Sequence, residues 1–411
     1  MRVRIRKEAQ SYLVYFLDCN RLVVVNELGA LIAHALFNEN ASIVDIAHRI
    51  AIQYQVDQER ALHDVHTFVS NVMEELSLDG YKTIEQEQHT VPTGVELQIN
   101  TDCNLRCAHC FQENYSVENV MSHARAAEII SALSHAGVFE LSIIGGEPFR
   151  HPDIMAILAH AQTCLLSTTI TTNGILVTND IIHELSTMPW LSIFVSLDGI
   201  GKVHDTIRGK GTFAQTDQVI LSLVSAGVPV DVLCTLNAYN ALHYREVIGY
   251  CQELGIPCDF NLFKPFKESH RSLILPPNDF FEIIIGLTRL KENGVSVGVG
   301  NAAISSELMG LAPRNECTAS LAGLVIDSQG KMVTCPGLVT SGFYTADELP
   351  DFDEDWVHTW LTHPTFTSFR ERGLYGCQVR SHLLCGDCTA PDPYGIDAFR
   401  IYYNKRLPQR R

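Results

Sequence analysis

The chain has 411 residues, 46% of them hydrophobic and 19% charged, with a formal net charge of −17. This length points to two or three domains, and the apolar content excludes a disordered chain. A pI near 5.4 leaves no overall basic footprint for nucleic acid, so no nucleic-acid partner is expected.

The N-terminus, MRVRIRKEAQ, is charged, and Asp18, Asn20 and Arg21 interrupt the first apolar run. Neither a signal peptide nor a membrane span is read. The chain is expected in the cytoplasm, with no membrane partner. Disulfides are rare there, so the thirteen cysteines need another reading. Cys164, Cys234, Cys251 and Cys258 lie in apolar helix or strand patterns and read as small buried hydrophobes. Cys19, beside a turn signal, is read the same way. The other eight fall in two groups, 103–110 and 317–388, and short fixed gaps of this kind are the pattern of metal ligation.

Residues 1–85 read as a small unit. Two strand-like runs, YLVYF and RLVVVN, flank a turn at Asp18-Cys19-Asn20. Three helical segments follow, with Ser42 and Asp57 as N-caps of the second and third. A strand pair with three helices is the pattern of a winged helix. Residues 86–94, polar and ending in Pro and Gly, read as a linker. From 95 to 300 strand and helix alternate: VELQINT, FELSIIGG, LLSTTITTNG, LSIFVSLDG, PVDVLCTLN and PCDFNLFKPF are six strands, each followed by a helix. This predicts an α/β fold with a parallel sheet, rolled by right-handed crossovers into a full or partial barrel. The strands are near-continuous apolar runs, as when both sheet faces are covered. Chemistry is expected at the C-terminal ends of the strands. Residues 301–411 lose the alternation and hold five cysteines.

Directly after the first of those six strands comes TDCNLRCAHCF, with Cys103, Cys107 and Cys110 spaced C-x3-C-x2-C. A structural zinc site takes four ligands, and no fourth cysteine is near. His109 sits between Ala108 and Cys110, badly placed to close on the same metal. Thiolates also hold iron–sulfur clusters.

This loop resembles the signature of the radical S-adenosylmethionine enzymes, which implies a partial (β/α)6 barrel. The resemblance further implies that Cys103, Cys107 and Cys110 hold three irons of a [4Fe–4S] cluster. The fourth iron would chelate S-adenosylmethionine, whose cleavage gives a 5′-deoxyadenosyl radical. A one-electron donor such as flavodoxin or ferredoxin is implied as well. Other stretches match the family at the right strands. GGEP, Gly145, Gly146, Glu147 and Pro148, is implied at the methionine amino group. Asn173 in TTNG and Ser196 and Asp198 in VSLDG are implied around the ribose and carboxylate. Arg208 is a candidate carboxylate contact through its fork, and His109 is implied near the adenine. The residues themselves nominate no catalytic base.

Of the C-terminal cysteines, VIDSQGKMVTC reads as a hairpin turning at Ser328, Gln329 and Gly330 and delivering Cys335 toward Cys385 and Cys388. Alone, this is a zinc or iron–sulfur site. The tail resembles the SPASM and twitch extensions of the same superfamily, which implies one auxiliary [4Fe–4S] cluster. Its expected ligands are Cys317, Cys335, Cys385 and Cys388, with Cys377 as substitute or bystander. The sulfatase-maturing branch has an Asp after the cysteine at the place of Cys335, and Pro336 stands here instead. The N-terminal unit resembles the PqqD-like precursor-peptide recognition domains, which take an extended leader as an added strand, with RLVVVN (21–26) the candidate edge. Together these imply an enzyme that modifies a ribosomally made peptide, expected to form a thioether or carbon–carbon cross-link. Peptide epimerisation, cofactor biosynthesis, or a non-catalytic iron–sulfur sensor are the alternatives.

Overall fold

The computed structural model describes residues 1–77, 89–112, 115–263, 268–299, 321–335 and 344–371. Three strands open the chain: β1 (Val3–Lys7), β2 (Tyr12–Phe16) and β3 (Arg21–Val25), antiparallel in the order β1-β2-β3. The strand pair expected from the sequence is therefore a triplet. VRIRK was read only as a charged terminus, but its alternation places Val3 in the core. Helix α1 (Glu27–Ala33) starts at the Asn26 cap and runs into a π-helical turn at His34–Asn38. Ser42 caps α2 (Ile43–Tyr54), accepting a hydrogen bond from Asp45 N. Asp57 accepts from Arg60 N at the start of α3 (Gln58–Ser77). Both caps were legible in the sequence. Val14, Phe16, Val23 and Val72 close the core between sheet and helices.

The second face of β2 is buried too. Leu13, Tyr15 and Leu17 pack on Phe139, with the Tyr15 and Phe139 rings stacked at 5.3 Å. Arg4 donates to the carbonyls of Ser134 and Val138, and Arg6 to those of Gly137 and Pro92. Three of these carbonyls lie at or just past the C-terminal end of α4, so half-buried Arg4 and buried Arg6 bolt the N-terminal unit to the next.

That next unit is built from β4 (Gly94–Gln98), α4 (His123–Ala136), β5 (Glu140–Ile144), α5 (Ile154–Thr163), β6 (Ser167–Thr172), α6 (Asn179–Leu185), β7 (Leu191–Ser196), α7 (Lys202–Arg208), α8 (Thr212–Ser225), β8 (Val230–Leu236), α9 (Tyr244–Leu254), β9 (Cys258–Leu262), α10 (Pro277–Glu292) and β10 (Val297–Val299). The strands run parallel in the order β10-β9-β8-β7-β6-β5-β4. All six expected strands are present, and β10, too short to read in sequence, adds a seventh. At the other edge β11 (Gly323–Ile326) pairs parallel to β4, and β12 (Met332–Val333) closes the expected hairpin on it. Asp327 accepts from the backbone of Gln329 and Lys331 in its turn. Two short helices follow, α11 (Trp356–Thr362) and α12 (Pro364–Glu371).

One expectation about the strands fails. Their faces are not equally apolar. Leu97, Ile143, Ile170, Ile193, Val195, Val232 and Phe260 join the helices in one core. The alternate positions Glu96, Ser142, Thr169, Phe194, Asp231 and Asp259 are more exposed. Helices on one face only are what a curled sheet requires, and its other face is free to take polar residues. Cys234, Cys251 and Cys258 are buried as expected, whereas Cys164 is half-buried and Cys19 is exposed, against its reading as a buried hydrophobe. Cys335 is half-buried, and Cys317, Cys377, Cys385 and Cys388 lie outside the described residues. No helix among the described residues is long and apolar enough to cross a membrane.

Candidate active site

The cysteine loop leaves the C-terminal end of β4 and is stitched to the turn after β5. Gly146 N donates to Asn100 O at 3.0 Å, and Glu147 N to Asp102 O at 2.8 Å. The two glycines are required by this approach. A Cβ on Gly145 would collide with the Asn100 side chain, and one on Gly146 with the Thr101 and Asp102 carbonyls. The GGEP glycines thus bring one strand-end loop against the backbone of the next.

Glu147 is fully buried, and its carboxylate is turned back into the protein. It accepts from the Thr172 hydroxyl at 2.7 Å, Asn173 N at 2.8 Å and Phe149 N at 3.2 Å. Burial pushes its pKa up, and these donors pull against that shift. Asn173 in turn donates from its side chain to Asn104 in the cysteine loop at 2.8 Å. The ends of β5 and β6 therefore hold the loop from one side. Pro148 follows in a short 3-10 turn. Ser196 is buried at the last position of β7.

The other side is held by charge. Asp198 is completely buried, accepting from Thr235 N at 2.8 Å. Its second carboxylate oxygen meets Arg208 Nε at 2.5 Å and His109 Nε2 at 3.4 Å. Burial raises the Asp198 pKa, but the Arg208 charge, helped by the Thr235 N–H, outweighs it, so the carboxylate is ionised. Burial lowers the His109 pKa to about 4, which leaves a neutral ring 3.4 Å from the Asp198 carboxylate, with its Nδ1 buried and unpartnered. Ala108 N donates to Ile207 O at 2.9 Å, which ties the loop to the end of α7.

The three thiols share this pocket. Burial pushes Cys107 up to about 11, and Cys110 and Cys103 are near enough to add to the rise. Cys103 is raised mainly by burial, with a contribution from Cys110, and accepts from Leu105 N at 3.4 Å. Thiols held this high are thiolates only beside strong positive charge, which a metal centre supplies. Among the described residues no three His, Cys, Asp or Glu side chains form a group that could hold one metal ion. A multi-iron cluster makes a different demand, because each thiolate takes its own iron and the sulfurs surround a volume. Three thiols in one loop, none paired in a disulfide, fit that group. Asn100, Asn104, Thr172 and Thr235 were missed in sequence. They act through tertiary contacts, and only Asn104, within TDCNLRCAHCF, and Thr172, within TTNG, lay in motif stretches already singled out.

Residues 97–251 match the family described as the Radical SAM superfamily. The chain is 24% identical to the mycofactocin maturase MftC of Mycobacterium ulcerans, over 75% of this chain and 83% of that protein. It is 28% identical to the AdoMet-dependent heme synthase of Methanosarcina barkeri, over 74% of this chain and 96% of that protein. It shares the fold of Streptococcus suis SuiB bound to precursor peptide SuiA, with a TM-score of 0.69 at 15% identity, covering 94% of this chain and 92% of that one.

Proposed function

We propose that this chain, whose residues 97–251 match the Radical SAM superfamily, is a radical SAM enzyme that modifies a ribosomally made precursor peptide. The observation that carries the reading is the N-terminal unit fused beneath the barrel. Among the described residues β3 pairs only with β2, so one backbone edge is open to an added strand, the mode in which an extended leader gains main-chain hydrogen bonds. Likeness to MftC and to the fold of SuiB supports it. In this reading the unit is a PqqD-like leader-binding domain, and β3 is its edge.

Cys103, Cys107 and Cys110 are assigned to a [4Fe–4S] cluster that, with S-adenosylmethionine, supplies a 5′-deoxyadenosyl radical able to abstract a substrate hydrogen. The backbone of Gly145–Pro148 is assigned to the methionine end of S-adenosylmethionine, with Glu147 bracing it from behind. Ser196 and Asn173 are assigned to the ribose and carboxylate side, and His109 to the adenine side. Asp198 and Arg208 hold that wall. Cys317, Cys335, Cys385 and Cys388 are assigned to one auxiliary [4Fe–4S] cluster, with Cys377 in reserve. An oxidation needs an acceptor for the second electron, and this cluster fills that need. The expected product is a thioether or carbon–carbon cross-link, with flavodoxin or ferredoxin as donor.

Co-expression with the precursor, followed by mass spectrometry, tests this. A peptide lighter by two hydrogens supports the cross-link. Unchanged mass with inverted stereochemistry replaces it with epimerisation. Likeness to the heme synthase over most of this chain favours, as a second reading, a small-molecule substrate. A leader that fails to bind the intact protein would decide for that one.

A further inference from the structure

The buried Arg208 has a use that the cofactor contacts do not require. Its Nε is committed to Asp198 at 2.5 Å, and its Nη1 lies 3.9 Å from Cys107 Sγ, within hydrogen-bond reach of a sulfur. The side chain is 10% exposed, and Asp198 is fully buried. Asp198 is itself fixed by Thr235 N, and Asn240 donates to its backbone carbonyl. The guanidinium is thus clamped at one arm and aimed at a thiol with another. A rigid fork can do this, and a flexible ammonium cannot.

We infer that Arg208, positioned by Asp198, donates an N–H···S hydrogen bond to the Cys107 thiolate and raises the reduction potential of the cluster held there. The inference rests on the cysteine loop carrying an iron–sulfur cluster. Hydrogen bonds to cluster sulfurs and local charge are recognised determinants of such potentials. A positive charge at the sulfur stabilises the form carrying one more electron, and a dry site screens it little. The sign is set by proximity. The cation reaches the sulfur through Nη1, while the Asp198 carboxylate is held at Nε.

Arg208 is then a positioning residue for the cluster's electronics, a role separable from a contact to the S-adenosylmethionine carboxylate. The test is an EPR-monitored redox titration of reconstituted full-length protein with no S-adenosylmethionine present. Arg208→Gln should shift the cluster midpoint to more negative potential at unchanged iron content. An unmoved midpoint in iron-loaded Arg208→Gln overturns the inference and leaves the cluster assignment intact. If that variant takes up no iron, Asp198→Asn carries the test with the opposite sign, since it leaves the cation unopposed and should move the midpoint positive. No shift there overturns the inference equally. A wild-type protein that holds no iron–sulfur cluster after reconstitution overturns the cluster reading and this inference with it.

Discussion

At Gly146 one methyl group would reach the cysteine loop. A Cβ there would sit 2.5 Å from Thr101 O and closer still to Asp102 O, and neither atom belongs to a flexible side chain. Asp102 O already accepts from Glu147 N, and Cys103 is the next residue, so relief means moving the first thiol. Gly174 offers the contrast. It has φ +83°, but its Cβ would meet only Val195 and Val219 at an ordinary 3.5 Å. Gly146→Ala should therefore cost about 1–3 kcal/mol of stability through overpacking and lower the iron bound per chain. Gly174→Ala should cost about 1–2 kcal/mol of left-handed backbone strain and leave iron binding unchanged. Urea denaturation with iron and sulfide assays separates the two, and equal iron loading in both variants would refute the steric account. The GGEP stretch was legible in sequence as a close-approach turn. That Glu147 faces inward, braced by Thr172 and Asn173, was not, because those donors come from the next strand.

At the scale of elements, β8 and β9 place two acids on the polar face of the sheet. Leu233 pairs with Asp259 in the parallel register, which puts Asp231 diagonally across, near enough to interact. Burial, and then the Asp259 charge, push Asp231 up to about 6 from its ordinary 3.8. Asp259 is raised too, chiefly by burial, though Lys291 and the Gly298 N–H counter the shift. A carboxyl with a raised pKa keeps its proton in the folded state at a pH where the unfolded chain has lost it. Its contribution to stability therefore falls as pH rises from about 4 to about 6 and is flat above that. Asp231→Asn should match wild type near pH 4 and exceed it at pH 7 by on the order of 1 kcal/mol, after allowance for solvent screening. Denaturation curves across that range check this, and a variant less stable at pH 7 would contradict it. These acids also mark where sequence reading stopped short. The apolar strand residues announced a parallel α/β sheet, and Val232 and Phe260 duly face the helices. The interleaved Asp231, Asp259 and Thr235 were passed over as interruptions in apolar runs, although period-two alternation is the signal of a strand with one dry face. Likewise β1 read as a charged tail because Arg4 and Arg6 suggest solvent. Their partners include carbonyls around the end of α4, more than a hundred residues away.

Across the whole molecule, the proposed leader edge and the cysteine loop lie at opposite ends of the sheet. Phe139 and Trp190, which receive β2 and β3 together with Leu165, immediately precede β5 and β7, and Leu165 lies two residues before β6, so the N-terminal unit covers the N-terminal ends of the strands. The cysteine loop, GGEP and Asp198 all lie past the C-terminal ends. β6 and β7 have six residues each, which at ~3.3 Å per residue puts roughly 20 Å of sheet between the two ends. A leader added to β3 cannot place an adjacent residue at the thiols. On the proposed reading a precursor would run up the sheet or around the helices, and even the shorter path would consume about six extended residues. Leader affinity and modification should therefore respond differently to spacer length. In precursors whose leader is joined to the modified residue by progressively fewer residues, the dissociation constant for the intact enzyme should stay constant. Modification, followed by mass spectrometry, should collapse once the spacer drops below about six residues. Longer flexible spacers should be tolerated, because the entropy of closing a loop grows only with the logarithm of its length. Efficient modification with a spacer of two or three residues would mean that the leader does not sit on β3 while chemistry occurs, and the peptide-recognition role of the N-terminal sheet would have to be abandoned.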